Sequence, residues 1–383
     1  MSVMREQDLE TGVEAIRVLS EEIGPRPSAS AEEAAAALYV STCLVEMGLI
    51  PVTEEFRSSR SFGPSYLMTF GLALLAGALK RGKFRYITGA LAGLLGIAEG
   101  RFSRLGPSAV TRWRRSRNVS VAIEPIGEAK RTICLVCHLD SSRSGMMFHP
   151  AVTPYLGQVV TLNGVALLVQ ALDPLIGRGP GRFLVLKARA LCGIAFGLVL
   201  EREIRGENVA GANDNASGVG ACLALASRLV REPLESSRVM ILFTGSEESG
   251  VHGMNKFLRQ NDTDGWLFVN FDGVSARASL RVLSKEGGPL GSVDCDPELL
   301  AWAEAVGRVD PELKAEPLAH GSGLPYDATP VLMKGGRAIS IVNQDGAIPD
   351  YHWPTDRFDR VSHLDFERAI SFSESLLEEI DRS

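Results

Sequence analysis

The sequence predicts an α/β protein: a doubly wound, mostly parallel central sheet flanked by helices, with two inserted apolar helical hairpins. Three observations carry that prediction. Short apolar runs at 132–137, 238–243, 266–271 and 338–342 have strand length and are bounded by turn residues. Segments of helical periodicity alternate with them, as crossover connections between parallel strands require. Two longer stretches, inside 61–105 and 150–205, interrupt the alternation with paired Leu/Ala/Gly-rich runs. With 383 residues, 45% of them hydrophobic, the chain can bury one large core, so residues 1–383 read as a single domain carrying both insertions.

In order along the chain, Val13, Ile16, Leu19 and Ile23 share one helix face, and Gly24-Pro25-Arg26-Pro27 stops that helix. Ser30 with Glu33 reads as a capping box for a second helix that runs to Met47 and closes at Gly48. Runs 50–56 and 118–123 are strand candidates, and 132–137 is a buried strand ending at His138. A Gly/Asn/Asp-rich turn opens a helix over 216–229, the three later apolar runs are strands, and a last helix spans about 362–380.

The insertions are read from residues 66–98 and 155–200. Each pairs two apolar runs around a basic turn, Lys80-Arg81-Gly82-Lys83 in the first and Arg178-Gly179-Pro180-Gly181-Arg182 in the second. The runs of the first pair fall short of the roughly 20 residues a spanning helix takes; the second pair carries Asp173, Lys187 and Arg189. Two readings stay open. The hairpins pack on each other or at a dimer interface, or they contact a membrane, where basic turns suit anionic headgroups. Four such helices are hard to bury on one domain, which favours membrane contact.

A net charge of −6 argues against nucleic acid as a partner. The polar start lacks a signal-peptide core, and most of the six cysteines sit in apolar runs, as free thiols in a reducing compartment do. The expected location is the cytoplasm, with shallow membrane association through the hairpins. Cys134 and Cys137 have CxxC spacing, but three residues apart on a strand they face opposite ways and read as core. Glu286-Gly287-Gly288 reads as a surface turn, His149 as a loop residue, His252 as part of a Gly-flanked turn, and His363 as a first-turn residue of the last helix. Asn118-Val119-Ser120 matches a glycosylation pattern but lies in a strand.

Chemistry enters with Glu247-Glu248, which follow a strand. Adjacent side chains off a strand end point in different directions, so one carboxylate can bind a metal while the other moves a proton. His138, Asp214, Asp272 and His352 stand at the ends of other predicted elements. The ends of neighbouring parallel strands open on one sheet edge, where α/β proteins place their sites. His138-Leu139-Asp140 lets Asp140 hold one ring nitrogen of His138 while the other binds a metal. Small residues from Gly211 to Gly218 let the backbone of Asp214 approach closely, and its two oxygens can bridge two cations. Two histidines and three carboxylates suit two Zn²⁺ ions, with Co²⁺ or Mn²⁺ as substitutes.

These segments, together with Ile23-Gly24-Pro25-Arg26-Pro27-Ser28, Arg117-Asn118-Val119, Gly245-Ser246-Glu247-Glu248-Ser249-Gly250, Phe271-Asp272 and His352-Trp353-Pro354-Thr355-Asp356, stand in one order. In that order the chain resembles the M28 zinc metallopeptidases, the aminopeptidase-like co-catalytic enzymes, over most of its length outside the insertions. The resemblance implies that His138 and Asp272 bind one zinc, Glu248 and His352 the other, and that Asp214 bridges them. It implies Glu247 as the general base, Asp140 as a carboxylate behind the metal ligand His138, a cis bond at Asp214-Asn215, and Asp356 steadying the His352 loop. Many relatives have Asp-His where this chain has Tyr326-Asp327-Ala328, so Tyr326 or His320 is the expected aid to the oxyanion. The expected activity is hydrolysis of a peptide or small amide, foremost as an aminopeptidase. A carboxypeptidase, dipeptidase or other amidohydrolase is the alternative on the same centre. A glutaminyl-cyclase-like transferase ranks lower, and a membrane-associated, non-catalytic binding protein is the reading from another class.

Overall fold

The computed structural model describes residues 5–79, 82–177, 179–288, 291–319 and 324–383. Among these residues one sheet of nine strands forms the middle of the protein. Its centre is built from β3 (Arg131–His138), β4 (Ser237–Thr244), β5 (Leu267–Phe271) and β9 (Arg337–Asn343), in the order β4-β3-β5-β9, all parallel. Every residue of β5 is buried, as are Ile133 to His138 of β3, which is why these strands read as unbroken apolar runs.

The α/β class holds, but the sheet is mixed rather than mostly parallel. On one side β1 (Val52–Ser58) and β2 (Arg114–Ile123) run antiparallel to each other and to β4. On the other, β6 (Leu280–Gly288) runs antiparallel to β9 and to β7 (Gly291–Asp294), and β8 (Glu316–Ala319) lies parallel to β6. The sequence reading lacks β6, β7 and β8. β7 and β8 are four residues each and largely exposed, and the apolar residues of β6 are diluted by Arg281, Lys285 and Glu286. Glu286 is therefore no surface turn. It is a buried strand residue whose carboxylate accepts the hydroxyls of Ser340 and Thr329, both at 2.6 Å.

Helices cover both faces. The first is α1 (Glu6–Arg17), continuing as a wider π turn over Val18–Ile23, and α2 (Ala31–Glu46) follows. Ser30 caps α2 by accepting from Glu33 N–H at 3.1 Å. Only that half of the capping box forms, because the Glu33 carboxylate turns away to other backbone amides. After the first insertion a single turn, α5 (Ser108–Thr111), leads into β2. The remaining cover is α9 (Gly218–Arg231), α10 (His252–Gln260), α11 (Pro297–Val309), α12 (Ala328–Met333) and α13 (His363–Arg382).

The insertions are α3 (Gly63–Ala78) with α4 (Lys83–Gly100), and α6 (Leu156–Ala171), a short α7 (Asp173–Ile176) and α8 (Gly181–Arg205). They form one four-helix bundle in which α3 and α6 each pack against both α4 and α8. Its core is mostly alanine, with Phe70, Leu167 and Cys192. Helices close over such small residues; at Gly93 an added Cβ would lie 2.6 Å from Ala171 Cβ. Of Asp173, Lys187 and Arg189 in the second hairpin, Asp173 and Arg189 are paired inside the bundle. Asp173 accepts from Arg85 at 2.7 and 3.0 Å and from Arg189 at 3.2 Å. The outward faces remain apolar, with Phe84, Ile87, Leu94, Phe183 and Ile194 all more than half exposed. By length and composition α8, whose most apolar 18-residue stretch has mean hydropathy 2.0, is long and apolar enough to cross a membrane. Lys80, Arg81 and Arg178 of the two basic turns, and His320, lie outside the described residues.

Candidate metal centre

Sheet register brings the predicted residues to one edge. In the β3–β4 pairing His138 stands opposite Thr244, and in the β3–β5 pairing Val136 stands opposite Asn270. Two residues beyond those partners, Asp272 is therefore level with His138, and Glu247 and Glu248 begin three residues past Thr244. The tight turn before α9 reaches the same edge. Gly211 has φ +61°, and a Cβ there would lie 2.3 Å from Asp214 O, so only glycine lets the chain fold back this closely. Asp214-Asn215 is a cis peptide, in keeping with the resemblance. His352 enters from the loop before α13 with φ +50°.

All five proposed ligands are buried and lie together. Asp214 sits in the middle and divides its oxygens. Oδ1 is 3.2 Å from His138 Nε2, and Oδ2 is 3.1 Å from His352 Nε2. His138 Nε2 is also 3.6 Å from Asp272 Oδ2, and His352 Nε2 is 3.2 Å from Glu248 Oε1. Two ligand groups result, His138–Asp214–Asp272 and Asp214–Glu248–His352, sharing Asp214; Glu247 stands with His138 and Glu248 in a third cluster.

The surrounding side chains hold this geometry through backbone amides. Asp140 is fully buried; its Oδ1 accepts from Glu247 N–H and its Oδ2 from Glu248 N–H, each at 3.1 Å, while the Ser28 hydroxyl donates to Oδ2 at 2.5 Å. The expected Asp140–His138 contact is made mainly by the backbone: His138 Nδ1 is 3.0 Å from the Asp140 carbonyl and 3.6 Å from its carboxylate. That carbonyl can only accept, so Nδ1 carries the proton and Nε2 is left free toward Asp214 and Asp272. Asp356 joins the His352 segment to the Asp214 turn by accepting from Asn213 N–H and Asp214 N–H at 2.7 and 3.0 Å. Glu33 accepts from Ser246 N–H at 2.7 Å and Ala29 N–H at 3.0 Å, which fixes Ser246 in a left-handed turn (φ +57°) just ahead of Glu247. Arg26, wholly buried, donates to the carbonyls of Leu19, Gly24, Leu139, Ala210 and Gly211, tying three loops of the site together.

Several of these were not among the sequence candidates. By sequence Ser28 and Arg26 are motif residues without a role, and Glu33 is only a helix cap. Phe148 and Tyr351, whose rings pack on His352 at centroid distances of 4.4 and 3.8 Å, had no local signal. Tyr326 is buried, and beside it Asp327 accepts from the Thr244 hydroxyl at 2.5 Å. Burial, with Asp140 and Asp272 nearby, pushes the Asp327 carboxyl up to about 7. His252, left out of the ligand set, has its Nδ1 2.7 Å from Ser58 Oγ.

The donor set fits divalent cations. Three carboxylates and two imidazoles converge, and among the described residues no Lys or Arg makes an ion pair with any of them. Glu248 Oε1 is buried and makes no well-aligned hydrogen bond, its near polar neighbour being His352 Nε2 at 3.2 Å, an expensive state for a carboxylate oxygen unless a cation meets it. Burial opposes charging of His352, yet Glu248 and Asp214 hold it up at about 9; the cluster attracts positive charge strongly. Burial first, and then Glu248, raises Glu247 well above the usual carboxylate range. Cations held by the neighbouring carboxylates and imidazoles would oppose that shift and favour the ionised form of Glu247.

Residues 195–373 match peptidase family M28. No curated protein matches the sequence. Among solved structures, the chain resembles a zinc aminopeptidase from Bacillus subtilis (TM-score 0.60, 14% identity, 97% of this chain and 95% of that one). It also resembles an aminopeptidase from Aneurinibacillus sp. strain AM-1 (TM-score 0.58, 15% identity, 96% and 93%) and a glutaminyl cyclase from Bacteroides thetaiotaomicron (TM-score 0.57, 14% identity, 98% and 99%). At these identities the likeness is one of fold, and it extends over nearly the whole of each chain. The matched segment, 179 of 383 residues, and this fold both resemble those of the M28 metal-dependent peptidases.

Proposed function

We propose that the chain is a di-zinc exopeptidase, foremost an aminopeptidase, in which Glu247 is the general base. The observation that carries this reading is the division of Asp214's two oxygens between His138 and His352 at 3.2 and 3.1 Å, the arrangement a bridging carboxylate needs. His138 and Asp272 would hold one zinc, Glu248 and His352 the other. When bound, the metal pair supplies a Lewis acid for the scissile carbonyl and an acidified water. The chain's own residues do the rest. Asp140 fixes the amides of Glu247 and Glu248 and so aims the two carboxylates apart. Glu247 takes the proton of the attacking water and gives it to the departing amine, so the scissile C–N bond is replaced by a carboxylate and a free amine.

Glu247→Gln keeps the shape of the side chain and removes the base. The expected result is loss of nearly all turnover on an aminoacyl-anilide panel with zinc content unchanged; turnover at the wild-type rate sinks the assignment. Chelator should silence the wild type. A peptide-library digest then separates attack at the amino end from attack at the carboxyl end, and cyclisation of N-terminal glutamine without hydrolysis would move the reading to a transferase.

The apolar outer faces of the bundle support contact with a membrane surface, and the six free cysteines, five of them buried, support a cytoplasmic location. Recovery of the full chain with anionic vesicles on flotation is the expected behaviour. Complete recovery in the soluble fraction contradicts the contact.

A further inference from the structure

A cavity of about 190 Å³ starts at the metal centre and runs into the helical bundle. At one end its wall is Glu247, Glu248, Tyr351 and His352; beyond them it is closed by side chains of all four long insertion helices, among them Tyr66, Phe70, Ile97, Val160, Leu167 and Val199. Along α6 the lining reaches from Leu156 to Leu168, a rise of about 18 Å at 1.5 Å per residue.

What such a space accepts follows from what its walls offer. Helix backbones satisfy their own amides and carbonyls, so apart from the side chains of Glu99, Ser108, Arg112, Asn163 and Asn255 the lining has few groups left to pair with a peptide main chain. A peptide drawn into it would leave buried polar groups unpaired, which opposes its binding. An aliphatic chain carries no such groups and gains about 0.8 kcal/mol per buried methylene. We propose, resting on the amide-hydrolase reading above, that the substrate is an amide bearing a medium-length aliphatic tail, and that this tail lies in the bundle cavity while the amide lies at the metal centre. A cavity of about 150 Å³ holds benzene, so this one has room for about eight carbons. The bundle would then have two apolar surfaces, an outer one and an inner one, and the inner one selects the substrate.

The test uses the zinc-loaded full chain with two homologous series of chromogenic or amine-releasing amides: n-acyl p-nitroanilides from two to twelve carbons, which put the tail on the acyl side, and glycyl n-alkylamides of the same lengths, which put it on the amine side. In one of the two series kcat/KM should rise about threefold to fourfold per methylene and level off near eight carbons. A flat or falling profile in both series, with short members hydrolysed, overturns the proposal. Calorimetry on Glu247→Gln gives a readout independent of turnover: octanoate should bind about 100-fold tighter than butyrate, and Val160→Phe and Ala195→Phe, which each fill part of the cavity, should abolish the difference. Equal affinities for the two acids, or an unchanged difference in both folded filling variants, overturn the tail site. Tight octanoate binding without hydrolysis of any amide would instead leave the tail site standing and remove the hydrolase reading.

Discussion

Asp140→Asn tests how the proposed base, Glu247, and the proposed ligand Glu248 are aimed. Both oxygens of the buried Asp140 carboxylate are committed, Oδ1 to Glu247 N–H and Oδ2 to Glu248 N–H, with the Ser28 hydroxyl also on Oδ2. Asparagine replaces one oxygen by an NH2 group. The Ser28 hydroxyl can turn and accept from it, but a backbone N–H cannot. Whichever way the amide sits, one of the two peptide N–H groups loses a charge-assisted bond and faces another donor. Such a bond contributes about 1.5–3 kcal/mol, and the stranded donor makes the upper end the better figure, so about 3 kcal/mol of stability should go. The orphaned amide belongs to the base or to its neighbouring ligand, and a supporting carboxylate of this kind is worth about 10–100-fold in activity or metal affinity. Urea unfolding, zinc content and kcat/KM on an aminoacyl-anilide measure the three consequences separately. An Asp140→Asn protein with wild-type unfolding midpoint and wild-type kcat/KM would show that these two amides need no such clamp.

Two further substitutions probe the supporting frame. Arg26→Lys keeps the charge but replaces a fork that serves five carbonyls by an ammonium with three donors, so at least two carbonyls lose this bond, of which Leu19 and Gly211 still accept a backbone N–H, and stability should fall by about 1–3 kcal/mol in denaturant titration; a loss below about 0.5 kcal/mol contradicts the three-loop tie. Glu286 has its carboxyl raised to about 7 by burial, against the Ser340 and Thr329 hydroxyls that favour its charge and with Asp272 adding to the rise. Because the folded value exceeds the unfolded one, near 4.3, the protonated form favours folding, and its contribution is complete below pH about 4 and lost as pH climbs through about 7. Glu286→Gln should therefore gain about 3 kcal/mol relative to wild type between pH 5 and pH 8, and an equal gap at both values would refute the shift.

The legible part of this protein was the part fixed by local pattern. Strands β3, β4, β5 and β9 carry unbroken apolar runs because both their faces are covered, and their ends carry His138, Glu247, Glu248 and Asp272 at the positions where the chain leaves the sheet. Strand direction was not legible in the same way. Nothing local distinguishes β2, which opposes β4, from a parallel neighbour, and β7 and β8 are too short and too exposed to show alternation. Roles set by distant partners were hidden as well. Glu33 has the spacing of a capping glutamate, and only the fold reveals that Ser246, 213 residues away, takes its carboxylate. Glu286 looked solvated because charge beside two glycines usually is; its burial depends on the hydroxyls of Ser340 and Thr329, supplied by other elements.

The insertions are rooted in the site by their place in the chain. The second leaves after Asp140 and returns just before Gly211, so two of the loops that shape the centre are also the stalks of the bundle. Arg202, near the end of α8, makes that junction stiff. It is buried, lies 4.2 Å from the Phe62 ring centroid at the start of α3, and donates to the Arg143 carbonyl at 3.1 Å and the Ser61 hydroxyl at 2.9 Å. It thereby ties both hairpins to the segment that follows Asp140. Phe148, on that segment, packs against His352. A side chain of the proposed metal set thus rests on a residue that the bundle itself positions, and no flexible linker separates the apolar cavity from the ligand cluster. Changes in the bundle should for that reason alter which amide is chosen without disturbing the sheet edge that holds the carboxylates, because the edge is fixed independently by Asp140, Asp356, Glu33 and Arg26.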